Sequence, residues 1–298
     1  MLWMAASGAL FTFLNTIMKW LTHDGLDPWL VGFLRYLFGF LVFVPMMFRI
    51  GLARSMTRAP GLQALRAVFH CGGLLLWFYA LPMVTMTEMT AMSFTGPIFM
   101  CLGAVLVLGE RMSLARWGAV LMGFVGVIIV LHPWSGVELS GMSVGNAVML
   151  LAAPVFAASF ITAKVLTRHD STEIVVLWQH LLVAVFSLPF ALFVWKWPTL
   201  EQWLWFIVCG VLGAGGHYCV TRALKATDVS VIQPVRFLDL LWASLGGFLV
   251  FSAVPESWTL IGGAVIFSAT LWLARHEALL ARARRNAAAA PPAAKPAE

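Results

Sequence analysis

The 298 residues carry 61% hydrophobic and only 11% charged side chains, where soluble domains hold roughly 45–50% and about 25%. Fourteen Trp and 22 Phe beside three Tyr present more apolar surface than a soluble core of this size can hide, and the mean hydropathy is +0.90. A soluble globular protein is excluded, and the net charge of +6 reads as the basic excess of membrane-protein loops rather than as nucleic-acid affinity.

About 20 apolar residues are needed to cross the hydrocarbon. Ten stretches meet that length in chain order: 2–21, 28–48, 62–82, 86–108, 114–131, 142–165, 173–195, 201–223, 229–251 and 257–274. The connections are short, leaving no room for a separate catalytic domain. No cleavable signal peptide is expected, because the first apolar stretch is too long and ends at Lys19. The four cysteines, Cys71, Cys101, Cys209 and Cys219, sit inside apolar stretches without metal-ligand spacing and read as packing residues. Residues 276–298, with Arg282, Arg284, Arg285 and an Ala/Pro run, read as a disordered basic cytoplasmic tail.

Orientation follows from the cations. With both termini in the cytoplasm, fifteen of the nineteen Lys and Arg fall on that side, Arg66, Arg111, Arg116, Lys164 and Arg222 among them. Lys19 and Lys196 fall on the other side, and Arg35 and Arg236 lie within spans.

The two halves resemble each other at an offset of 143: Gly72-Gly73 with Gly215-Gly216, Ala80-Leu81 with Ala223-Leu224, Phe94 with Phe237, and Leu102-Gly103 with Leu245-Gly246. With one or two residues of slippage Lys19 pairs with Lys164, Pro45 with Pro189 and Gly118 with Gly262. Five spans per half force the second copy to enter the membrane in the opposite sense. The expected fold is an all-α integral membrane bundle of ten transmembrane helices, with residues 1–133 and 141–275 as two inverted five-helix repeats.

Ionisable and polar side chains within spans are costly and each calls for a reason. Arg236 and Asp239, spaced i, i+3 with Gln233 one turn earlier, either line a cavity or form a buried ion pair that locks span 9. Glu88, Met92, Thr95 and Phe99 share one face of span 4 and suit an adaptable site for an organic solute, although Met and Phe at this spacing are also ordinary packing. His70 and Trp77 share a face of span 3, with Tyr79 nearer the outer surface; Gln179-His180 and His217-Tyr218 occupy spans 7 and 8. A histidine hydrogen-bonded to backbone is the commoner finding for each of the three, and proton coupling is the functional alternative. Asn15 is a candidate cavity hydrogen-bonder, or simply glue between helices. Gly96-Pro97, Pro154 and Pro234 fall near the middles of spans 4, 6 and 9, where proline bends a helix and suits gating. No phosphate-binding loop, catalytic dyad or metal-ligand cluster is visible, so no catalytic residue, metal or cofactor is expected and the chain is not read as an enzyme.

Asn15 with Lys19, Phe33-Leu34-Arg35-Tyr36, Ala80-Leu81 and Leu108-Gly109-Glu110-Arg111 together resemble the EamA-type branch of the drug/metabolite transporter superfamily. Phe251 to Trp258 is similar to that family's last loop, but Ser252-Ala253 stands where a Gly-Glu pair is common. The resemblance implies ten spans in two inverted halves and a secondary transporter of a bacterial inner membrane. Its partners would be a small-molecule metabolite, the lipid bilayer and protons as coupling ion, in a monomer. Arg35 would have a structural or gating role. Within the family the nearest characterised branch is the YddG-like amino-acid exporters, which implies outward movement of amino acids, aromatic ones included, by alternating access. Uptake of a nucleoside-like, quaternary-amine or S-adenosylmethionine-like metabolite is the alternative. An intramembrane enzyme built on His70, His180, His217 and Asp239, or a passive channel, is the alternative of another class.

Overall fold

The computed structural model describes residues 1–80, 83–84, 92, 95–131, 144–242, 244–245 and 257–289. Helix follows helix among them, with short capped connections. The first, α1, runs Leu2–His23, and α2 spans Pro28–Leu41. Asp27 caps α2 by accepting from Trp29 N–H, and Pro28 occupies its first turn, where a missing N–H costs nothing. Within the span expected over 28–48 the backbone ladder is interrupted at Pro45, and α3 restarts at Val44–Ile50, but Pro28–Ile50 together remain long and apolar enough to cross a membrane; α4 is the single turn Leu52–Ser55.

Helix α5 covers Pro60–Ala80 and α6 covers Gly96–Leu108. Pro97 stands in the first turn of α6 and is buried, so Gly96-Pro97 starts a helix among the described residues rather than bending the middle of one. Helix α7 is Leu114–Leu131, α8 is Val144–Leu166 with Pro154 inside it, and α9 is Thr172–Phe193, capped by Ser171. Helix α10, Leu200–Ala226, opens on a capping box in which Thr199 and Gln202 satisfy each other's backbone N–H. The ninth stretch is not one helix: α11 (Val229–Ile232) passes into a 3-10 segment, Gln233–Leu238, at Pro234.

The last helix, α12, runs Ser257–Ala289 without a break. Residues 276–289 are therefore helical, which corrects the expectation of a disordered tail there. Alanine, leucine and arginine are strong helix formers and extend the last span once it has nucleated. Six helices among the described residues are long and apolar enough to cross a membrane, and α6 and α7 are shorter apolar helices. The four cysteines are free and buried.

The packing joins the first half of the chain to the second half. Helix α1 lies on α10 and α5 on α8; α2 packs against α9 and α10, and α7 against α12. Small residues make these approaches close. A Cβ on Gly216 would stand 2.8 Å from the Phe11 ring and one on Gly73 2.8 Å from the Phe156 ring. One at Gly262 would meet the Gly126 carbonyl oxygen at 2.5 Å and Val130 at 2.5 Å. Without a hydrophobic drive between helices in lipid, such backbone contact supplies much of the association.

Backbone cannot yield to an added side chain as a flexible chain end can. Gly262→Val is expected to cost about 1–3 kcal/mol, measured as a lower melting temperature in detergent. Gly61→Ala, at a position with open space around it, is the control expected to show no such loss.

Candidate functional site

Two groups of polar side chains lie within the apolar helices, and they differ in how completely they are enclosed. The first is closed. Arg66 of α5 is 1% exposed, and it donates to the Val175 carbonyl at 3.1 Å and to Gln179 Oε1 at 2.5 Å. Gln179 Nε2 lies 3.4 Å from His217 Nδ1. His70 Nε2 shares a 2.5 Å hydrogen bond with the Tyr36 hydroxyl, and its Nδ1 lies 3.2 Å from Ser159 Oγ. His180 Nδ1 pairs with the Val176 carbonyl at 2.9 Å. The three imidazoles converge: the ring centres of His180 and His217 are 5.2 Å apart, and those of His70 and His217 5.6 Å. Arg35 lies with its guanidinium 4.2 Å from the Tyr36 ring centre and points Nη1 at Met18 Sδ.

This hub ties α2, α5, α8, α9 and α10 together through neutral acceptors. The delocalised guanidinium of Arg66 tolerates such a setting better than an ammonium would. Placing Arg66 in a cytoplasmic connection is corrected here, and the hub as a whole is missed by reading each histidine singly. The signal that could have found it is the helical spacing of Arg66 and His70 on α5, one turn apart. Against the enzyme alternative, each imidazole is bound to a neutral partner, and Asp239 stands elsewhere, where a Cβ on Gly8 of α1 would meet its Oδ1.

The second group is open. Arg236 and Asp239 lie in and just after the 3-10 segment, with Nε and Oδ2 4.0 Å apart and side chains 31% and 33% exposed. Of the two readings open from sequence, a cavity-lining pair or a buried locking one, this loose and partly exposed geometry fits the first better. The Arg236 guanidinium lies 5.3 Å from the Phe160 ring centre. Gly8 gives Asp239 the room to approach α1, and on that same face of α1 Asn15 and Lys19 are exposed.

The other expected site residues are scattered. Trp77 is half-buried and Tyr79 is 55% exposed at the end of α5. Tyr218 donates to Glu173 Oε1 at 3.2 Å and meets Trp3 edge-on. Gln233 is buried, its Nε2 donating to the Val229 carbonyl at 3.4 Å. Thr95 donates to the Met92 carbonyl at 2.6 Å, next to the start of α6. Glu88 lies outside the described residues.

Polar hubs and charges held within apolar helices of membrane-crossing length define an integral membrane protein. The chain belongs to the EamA-like transporter family, whose profile matches residues 1–132 and again 143–275. It is 34% identical to a riboflavin transporter of Rhizobium johnstonii, over 93% of this chain and 91% of that one. It is 30% identical to a riboflavin transporter of Vibrio cholerae, over 96% of each. An S-adenosylmethionine uptake transporter of Rickettsia bellii is 27% identical over 87% of this chain and 88% of its own. One solved crystal structure shares the fold at a TM-score of 0.75 and 19% identity, covering 93% of this chain and 96% of that one.

Tyr36→Phe keeps the ring but leaves a buried His70 nitrogen without its partner. It is expected to cost about 1–3 kcal/mol, read as a fall in thermal stability of the purified protein. The conservative control is the neighbouring Leu37→Met, a swap of similar volume expected to be near neutral.

Proposed function

We propose that this membrane transporter imports a planar heterocyclic metabolite of the flavin class across the bacterial inner membrane. Both termini lie in the cytoplasm, and transport proceeds by alternating access between two inverted five-helix repeats. The observation that carries the substrate class is the likeness, over more than nine-tenths of the chain, to two proteins named riboflavin transporters. The name of the Rickettsia relative adds uptake as the direction. Export of amino acids, the expectation from sequence, gives way in this reading to the nucleoside-like alternative.

The repeat reading is supported by the double family match and by two corresponding contacts. Gly73 sits against Phe156 as Gly216 sits against Phe11, the glycines 143 and the phenylalanines 145 residues apart in sequence. Near-equal halves give the two access states similar energies.

The half-exposed group has the chemistry such a solute needs. A guanidinium donates to ring carbonyl oxygens, a carboxylate accepts from hydroxyls or a ring N–H, and Phe160 offers an apolar face. Asn15, exposed on the same face of α1 as Gly8, is the candidate for a further polar contact. The closed hub holds the helices around this site, and Arg35 belongs to that scaffold. Asp239 is the candidate carboxylate for proton coupling; accelerated uptake under an imposed pH gradient supports it, and indifference removes it.

Riboflavin uptake into proteoliposomes, followed by flavin fluorescence, is expected to be saturable and faster than into empty liposomes. Equal rates overturn the substrate class, and inhibition by amino acids but not by flavins restores the export reading. Arg236→Ala is expected to weaken riboflavin binding about tenfold, equivalent to about 1.4 kcal/mol. Its effect on folding stability is expected to be under about 1 kcal/mol, because the pair is loose and half-exposed.

A further inference from the structure

At the end of the bundle that the charge bias assigns to the cytoplasm, four elements converge on the junction between α10 and α11. Gly109, with φ at +68°, ends α6 in a left-handed turn, and the next residue points its carboxylate at the start of α11. Glu110 there accepts from Val229 N–H at 2.7 Å, from Ser230 N–H at 3.0 Å and from Ser230 Oγ–H at 2.8 Å. Arg116 of α7 donates from Nη1 to Asp228 at 3.1 Å, to Ser230 Oγ at 2.9 Å and to the Arg111 carbonyl at 3.2 Å. Its Nε donates to Glu277 of α12 at 2.8 Å. From α8, Lys164 Nζ donates to the carbonyls of Leu224 at 2.5 Å and Thr227 at 2.7 Å, at the end of α10.

Only 11% of the Arg116 side chain is exposed, and Ser230 is fully buried. Val229 to Val235, which lead from this junction toward Arg236, are all buried. The pathway residues thus run from a sealed end to a half-exposed pair.

The opposite end has contacts of its own, Gln202 Nε2 donating to Asp24 Oδ2 at 2.7 Å and Lys196 Nζ to the Gly25 carbonyl at 3.1 Å, but the charged residues of the junction are not repeated there in sequence. At the repeat offset of 143 or 144, Glu110 corresponds to Ala253 or Val254, Arg116 to Thr259 or Leu260, and Asp228 to Thr85 or Val84. Lys19, which pairs with Lys164 at a slipped offset of 145, remains, and it is exposed.

We infer that Glu110, Arg116, Lys164, Asp228 and Glu277 form a cytoplasmic latch, which closes this face of the transporter and whose Glu110, Arg116 and Asp228 have no charged repeat counterpart on the other face. The latch rests on the alternating-access reading and regulates entry to the Arg236–Asp239 site. Opening to the cytoplasm must break the bonds that Glu110, Arg116 and Lys164 make to the α10–α11 junction, since they tie it to the ends of α6, α7 and α8. Opening to the other face breaks none of them. The resting transporter therefore keeps its cytoplasmic side shut, and weakening the latch shifts the population toward the cytoplasm-open state.

The test reads conformation without any substrate, so it stands or falls separately from the flavin assignment. Cys71, Cys101, Cys209 and Cys219 are replaced by Ala, and Val231→Cys is added as a reporter just beyond the latch. A membrane-impermeant maleimide is applied to inside-out and to right-side-out vesicles. Glu110→Gln is expected to raise the labelling rate from the cytoplasmic side at least about fivefold, the order of effect that losing one charged partner has on a two-state equilibrium. Glu277→Gln, which leaves the α11 cap intact and perturbs folding less, is expected to raise it by a smaller factor, and Lys164→Met likewise. Rates within about twofold of the parent for every variant that runs as a monodisperse peak overturn the latch. Acceleration confined to the opposite side of the membrane overturns it as well.

Discussion

Inside hydrocarbon a polar group that loses its partner has no water to replace it. The hub side chains are therefore placed by what they can bond to, and the degree of enclosure sets the hub apart from the Arg236–Asp239 pair. Arg66, His70, Gln179, His180 and His217 are all at or below 4% exposed and reach across the helices of the hub. Their positions are fixed by one another, and moving any helix of the hub would strand several buried groups at once. Arg236 and Asp239 are about a third exposed and hold each other loosely. In the proposed cycle they are the pair that exchanges its mutual contact for a solute.

The glycine contacts carry the same division into the backbone. At Gly210 an added Cβ would stand 2.7 Å from the backbone of Phe38, and at Gly39 it would run into the His180 ring. These approaches bind α2 to α9 and α10, the helices that also hold the hub. Gly126 and Gly262 bring α7 and α12 together at a distance from it. Stiff contact around the hub and separate contact between α7 and α12 leave the 3-10 segment between them. That segment packs on α7 and α12 through Phe237, and it carries the proposed site.

The membrane class, most helix bounds and the family are legible in the sequence, because hydropathy and capping act locally. Thr199 with Gln202, and Asp27 before Pro28, mark helix starts wherever they occur. Pro45 and Pro234 are visible as breakers, yet whether proline bends a helix or ends it depends on neighbours that resupply the freed carbonyl. The helical state of 276–289 escapes composition, which weighs residues singly, whereas a helix already nucleated over the last span extends through them at little cost. The place of Arg66 escapes for a related reason. Charge bias counts a cation near a span's end as a loop residue, but α5 begins at Pro60 and carries Arg66 inward beside Gln179, 113 residues away. A contact of that separation leaves no local trace.

Unequal ends have a limited meaning for direction. A latch on one face changes how long the transporter waits there and which face it shows at rest. It adds the same free energy to the opening step whether the site is loaded on the way in or on the way out, so it cancels around the full cycle. Net flux then follows the solute gradient or any ion coupled to it. What the latch does control is leakage and rate. Glu110 and Arg116 hold the cytoplasmic side shut until something offsets their bonds, and a ligand does so only if it binds the cytoplasm-open state more tightly than the closed one. Binding at Arg236 and Asp239 is well placed to supply that difference, because the buried run from Val229 to Val235 links the pair directly to the latched junction.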